Sequence, residues 1–325
     1  MLTLRAAFSG NNPRVAPLLD GTVTPAGFEL EWETGDMGEM AARHLQENTS
    51  DVFEFSISDY LNIRSRADAR WDWIALPIFC SKALLQLNTW VNVHSGITGP
   101  EELRGKRLAV GDYTMTAFLW FRAMLNRLYG VRSQDIAWYN GRVGEHSHSA
   151  LLGVKDTPPQ GVSITFLDRL EAANELLQSG QIDAAGATGL PIDTSTPHVQ
   201  PLFPDRGNAF LKEFFDRVGF LPVNHTVLIQ RRLIDDNPWL PEALYEAFER
   251  SKEEAYRRDP AARRVFPQRP GSQEHESAFG ADPYLSGVAA NRAMLSMACD
   301  QALSDGLMQK PVAVDDLFAP SLQGT

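Results

Sequence analysis

Cysteine is scarce: Cys80 and Cys299 are the two in a chain of 325 residues. That excludes a disulfide framework and a cysteine-rich zinc site, and both thiols are expected to be reduced packing residues. Long apolar runs are also missing. No segment reaches the ~20 apolar residues of a membrane span. The first residues, MLTLRAAFSGNN, turn polar before a secretory core of usual length. The expectation is a soluble, cytoplasmic protein. Positive charge is short as well, with 30 Lys and Arg against 41 Asp and Glu, a net −11. This argues against a sequence-independent grip on nucleic acid, which needs clustered cations to release counterions. It also argues against an anionic membrane surface. An anionic small molecule stays open, because a cleft has its own local field. There is no G-x-G-x-x-G, no Walker A loop and no G-x-S-x-G elbow, so nucleotide and serine-hydrolase readings lack support.

What the chain does contain is an alternation of short apolar runs with amphipathic stretches, the pattern of an α/β fold. Strands are expected at 2–9, 28–32, 52–57, 73–79, 107–110, 136–139, 182–187 and 225–230, with a longer extended run at 84–93. Helices are expected at 39–46, 115–129, 166–178, 210–218, 241–257 and 286–307, and a cap at Ser56 or Ser58 for a helix from Asp59. Gly130 stands where a left-handed C-cap belongs. The charged, Pro- and Gly-rich stretch 258–283 reads as a surface loop. At ~150 residues per domain the length suggests two lobes. The candidate crossovers near 87–93 and 197–203 give a split lobe, 1–90 plus 200–325, and an inserted lobe, 91–199. Two α/β lobes joined by two strands enclose a cleft, with ligands at strand C-termini and helix N-termini.

Several segments carry a resemblance: LRGKRLAVGDYTMTAFLWFRAMLNRLYGV at 103–131, GFLPVNHTVLIQRRLIDDNPWLPEALYEAFERSKEEA at 219–255, PLLDGTVTPAGFEL at 17–30 and VAANRAMLSMACDQAL at 288–303. Together they resemble the 4,5-dihydroxyphthalate decarboxylase family over nearly the whole chain. That family is similar to type II periplasmic binding proteins, two α/β lobes around a hinged cleft. The resemblance implies cofactor-independent decarboxylation of a dihydroxylated aromatic diacid, with protocatechuate as product. One stretch departs from the family pattern. Where an Arg-His pair is usual, this chain has Leu85-Gln86, with Lys82 retaining a charge. A bidentate carboxylate anchor has become apolar and neutral.

Decarboxylating an electron-rich aromatic acid needs a proton donor for the ring carbon, an acceptor for the phenolic proton, and groups that orient the acid. His225, at a loop-to-strand junction and matched by a family His, is the candidate for proton transfer. The alternative is a structural His tying down a loop. Tyr113, Thr114 and Thr116 open an apolar helix, where hydroxyls and free N–H groups suit a carboxylate, or merely cap it. Ser56 and Ser58 occupy the corresponding corner of the other lobe. Arg14 and Lys82 are the carboxylate anchors, each weighed against an ordinary solvated charge. Asp112 reads as a turn residue, with a base as the alternative, and Arg142 could face the cleft. His146 and His148 invite a metal reading, yet no third ligand follows from the sequence, so no metal and no cofactor are expected. Phe118, Trp120 and Phe121 read as core. The expected partner is a small aromatic acid, with no nucleic acid and no membrane; a homo-oligomer is compatible with the sequence. A solute-binding protein and a dehydratase-like relative on the same scaffold are the alternatives.

Overall fold

The computed structural model describes residues 1–66, 68–82, 84–205, 207–263, 265 and 282–325. Its strands are β1 (Leu2–Phe8), β2 (Phe28–Thr34), β3 (Val52–Ser56), β4 (Trp73–Ser81), β5 (Thr89–Asn92), β6 (Arg107–Val110), β7 (Ala137–Asn140), β8 (Ser163–Phe166), β9 (Ala184–Gly186), β10 (Val199–Pro201) and β11 (His225–Gln230). Its α-helices are α1 (Ala16–Leu19), α2 (Met37–Glu47), α3 (Ile57–Arg66), α4 (Thr116–Tyr129), α5 (His148–Leu151), α6 (Ala172–Gln178), α7 (Asn208–Val218), α8 (Arg231–Asp236), α9 (Leu240–Arg258) and α10 (Val288–Ser304).

Local chemistry explains several boundaries. The Asp36 side chain accepts from the N–H groups of Gly38 and Glu39 and starts α2, which ends on left-handed Asn48. Gly130, at φ 66°, closes α4 as expected, its N–H returning to the last turn. Pro241 sits in the first turn of α9, where its missing N–H costs little. Elsewhere the structure corrects the sequence reading. The helix expected at 166–178 starts only at Ala172, because Phe166 ends β8, which pairs in parallel with β7. The extended run expected at 84–93 begins with a 3₁₀ turn over Leu85–Leu87. Most of the loop expected at 258–283 lies outside the described residues; a 3₁₀ turn covers Pro260–Arg263.

The chain divides into two compact units. The first comprises Met1–Ala83, Phe220–Ser296 and Pro311–Thr325. Its sheet has the order β2-β1-β3-β11-β4, with β1 parallel to β2 and β3, and β11 antiparallel to β3 and β4. One face buries Leu4, Phe8, Val52, Leu76, Val227 and Ile229 against Leu240, Leu244 and Phe248 of α9. Each such large side chain contributes ~1.5–3 kcal/mol by leaving water. The second unit comprises Leu84–Gly219 and Met297–Lys310, with the sheet order β10-β5-β9-β6-β7-β8. Phe118, Trp120 and Phe121 of α4 are buried in it.

The division departs from the boundaries expected near 90 and 200. Residues 84–90 and 200–219 belong to the second unit, as do 297–310. The reason is pairing: β5 and β10 satisfy each other's backbone in the second sheet, and Asp305 is bound by Arg122 and Ser133. Among the described residues no helix is long and apolar enough to cross a membrane.

Candidate active site

In the first unit, candidate side chains gather where β3 and β4 end and β11 begins. All of β3, the run Val-Phe-Glu-Phe-Ser, is buried. Strand alternation sends Phe53 and Phe55 to one face, where both pack edge-on against Trp73. Glu54 therefore lies on the opposite, apolar face with Val52 and Val227, and is 2% exposed. A carboxylate there needs partners. Its Oε1 lies 2.8 Å from His225 Nδ1, and its Oε2 accepts the Ser9 N–H at 3.3 Å. His225 opens β11, opposite Ser56 on β3 and Ser81 on β4. The β4–β11 register shifts between His225 and Val227, an irregularity of the kind that re-aims a side chain. The Asn224 N–H to Ser81 carbonyl bond (2.9 Å) and the Ile57 N–H to Asn224 carbonyl bond (3.1 Å) fix the preceding loop. The imidazole keeps 22% of its side-chain surface open.

Glu54 was not singled out from the sequence. The available signal is a lone acid inside an apolar run short enough to be a buried strand.

Lys82 follows directly on the Ser81–His225 pairing. It is 6% exposed, and its Nζ donates to the Leu221 carbonyl at 3.0 Å. Burial pushes the amine down to about 7, against the upward pull of Asp282. Arg14 is also buried, but its fork is engaged. Nε and Nη2 donate to the Cys80 carbonyl at 3.1 and 2.8 Å, Nη1 donates to the Ala262 carbonyl at 2.7 Å, and the guanidinium lies 3.6 Å from the Tyr284 ring centre. Arg14 thus braces the end of β4 with three of its five N–H donors. Ser56 Oγ accepts the Asp59 N–H at 3.2 Å, so it caps α3, which starts at Ile57 rather than Asp59. Ser58 is fully buried. The structure thus brings Arg14, Ser56, Lys82 and His225 to one end of this sheet.

Tyr113, Thr114 and Thr116 belong to the second unit. The cap residue of α4 is Met115, with no side-chain cap, so the threonines do not serve as its N-cap. The preceding loop is instead held by side chains. Asn140 Oδ1 accepts the Tyr113 N–H at 2.7 Å, Ser149 Oγ the Thr114 N–H at 3.1 Å, and Asp112 Oδ1 the Ser149 N–H at 2.9 Å. Tyr113 is interior: its ring lies edge-on to Trp138 and 4.1 Å from the Arg122 guanidinium. Burial pushes its hydroxyl well above the usual phenol range. Arg142 donates its N–H to the Gly111 carbonyl at 2.8 Å. In the departing segment Gln86 is buried and Leu85 exposed. His146 is exposed, whereas His148 starts α5 and is buried. Among the described residues no group of three His, Cys, Asp or Glu could hold a metal ion.

The architecture is a two-unit α/β fold of the kind found in periplasmic binding proteins. Over the full length of both chains it resembles the periplasmic aliphatic sulphonate binding protein SsuA from Escherichia coli, at a TM-score of 0.55 and 14% identity. The desulfurization enzyme DSZB matches at 0.51 and 16% identity, covering 100% of this chain and 98% of that one. These likenesses carry the fold alone. No family model matches the sequence. The 4,5-dihydroxyphthalate decarboxylase of Comamonas testosteroni is 30% identical over 318 residues, 96% of this chain and 95% of that protein. The Pseudomonas putida enzyme of the same name is 29% identical over 175 residues, 54% of this chain and 66% of its own length. The chain belongs to the 4,5-dihydroxyphthalate decarboxylase family and is a carboxy-lyase.

Proposed function

We propose that this protein decarboxylates a hydroxylated aromatic diacid of the 4,5-dihydroxyphthalate type, without a cofactor, to a catechol acid such as protocatechuate. The observation that carries this reading is the relationship to a decarboxylase over 96% of the chain. The chemistry fits the groups at the end of the first sheet. In such a diacid each carboxylate stands para to a hydroxyl. Loss of the phenolic proton drives electron density onto the carbon that bears the carboxylate. His225 Nε2, protonated, gives its proton to that carbon. The C–C bond then breaks, its electron pair restores the aromatic ring, and CO2 leaves. The phenolate takes back a proton, so one proton replaces one CO2.

Lys82 is the cation that meets the acid. Its lowered pKa lets the neutral amine accept the phenolic proton near neutrality, and its protonated form holds a carboxylate. Ser56, beside His225 in the register, and Ser58 supply hydroxyls. Arg14 adds fixed positive charge through its brace.

The test is release of 44 Da from 4,5-dihydroxyphthalate, followed by mass spectrometry, with His225→Asn as the variant. A loss of turnover by about 10²- to 10⁴-fold is expected; unchanged turnover would remove His225 from the chemistry. Loss of water would instead mark a dehydratase, and binding without conversion a solute-binding protein.

A further inference from the structure

We propose that Glu54 is the positioning residue for His225: it fixes the imidazole tautomer and stabilises the imidazolium. The inference deepens the decarboxylase reading and rests on it for the reaction, though not for the tautomer.

The argument starts from where Glu54 lies. Nothing about a sheet core requires an acid between Phe53 and Phe55, and a glutamate 2% exposed is costly to bury unless it is bonded. Its Oε1 meets His225 Nδ1 at 2.8 Å. A carboxylate only accepts, so the contact requires a proton on Nδ1. In the neutral ring Nε2 then carries the lone pair. The ring keeps an open edge, so Nε2 is the nitrogen left to take up a proton and deliver it. The Ser9 N–H, on the residue that follows β1, holds Glu54 Oε2, which stops the carboxylate from rotating away. Three adjacent strands, β1, β3 and β11, thus fix the pair. When Nε2 is protonated, the charge on the ring sits against an opposite charge screened from solvent. Glu54 stays on the far side of the imidazole from Nε2 and acts only through it.

The test uses the full-length protein and two variants. Glu54→Met removes the acceptor at nearly constant volume; Glu54→Gln keeps an acceptor oxygen and removes the charge. Nitrogen-15 NMR of the imidazoles, with His225→Asn assigning the signal, reports which nitrogen carries the proton. The wild type should show Nδ1–H. Glu54→Met should shift the ring toward Nε2–H and lower kcat for 4,5-dihydroxyphthalate by about 10²- to 10⁴-fold with KM nearly unchanged. Glu54→Gln should keep Nδ1–H and recover part of kcat. A Met variant with the tautomer and kcat of the wild type overturns the proposal. If that variant does not fold, Glu54→Gln decides alone, and kcat equal to the wild type overturns it. A tautomer that follows Glu54 in a protein that releases no CO2 upholds the positioning and overturns the decarboxylase reading instead.

Discussion

Replacing Lys82 by Met should make the fold more stable and the enzyme worse. The amine titrates near 10.5 in an unfolded chain and at about 7 where burial holds it in the fold. Each unit of difference is worth ~1.4 kcal/mol, so at pH 7 the folded state bears a cost of ~4 kcal/mol. Methionine has similar length and no charge. It loses the donor to the Leu221 carbonyl, which costs ~1–3 kcal/mol if that oxygen goes unpaired. The net expectation is a gain of ~1–3 kcal/mol. Because the folded pKa lies below the unfolded one, the unfolded chain binds more protons between pH 7 and 10.5. Stability from this group therefore rises with pH across that window and falls as pH drops through it. Urea melts of both proteins at pH 7 and pH 9 read this directly. The advantage of the variant should shrink by ~2 kcal/mol between the two, since groups common to both proteins cancel. A gap that does not change with pH, or a variant less stable at pH 7, would refute the buried-amine argument. Turnover should fall in the same variant, the usual exchange of stability for function.

Two further outcomes follow from the structure. His44 is 1% exposed, packs tilted against Phe53 with ring centres 4.4 Å apart, and is pushed by burial from 6.5 to about 4. Its folded pKa is depressed, so its share of stability is intact above 6.5 and is lost as pH falls toward 4, by ~3 kcal/mol in all; His44→Phe should flatten that part of the acid denaturation curve. Arg122 and Asp305 form a fully buried ion pair at 2.6 Å, with Ser133 and Gln301 also bound to the carboxylate. Asp305→Ala should cost ~3–5 kcal/mol in a chemical melt, because it strands a buried guanidinium, whereas Arg122→Met with Asp305→Leu should recover most of that loss.

Much of the fold could be read from local pattern. The run at 52–56, the strand from His225 and the helix closed by Gly130 each announce themselves through apolar periodicity or a terminal residue, and each forms close to where expected. The edge strands did not. In β8 exposed and half-buried residues alternate, and β10 buries only Val199, so neither shows an apolar run; both form because a neighbouring strand offers unpaired backbone groups. The unit boundaries follow the same logic, since backbone pairing rather than composition assigns β5 and β10 to the second sheet.

At the site, the sequence alone determined the residue types: a histidine at a strand entrance, cations at two loop ends, hydroxyls at helix starts. Tertiary structure decided what each one touches. Arg14 and Lys82 read alike as carboxylate anchors, yet one fork is taken up by two carbonyls and the other amine is held where burial halves its protonation near neutrality. Glu54 and His225 stand 171 residues apart in sequence. No spacing rule connects them, because the pairing of β3 with β11 across the fold, and not the chain between them, places one against the other.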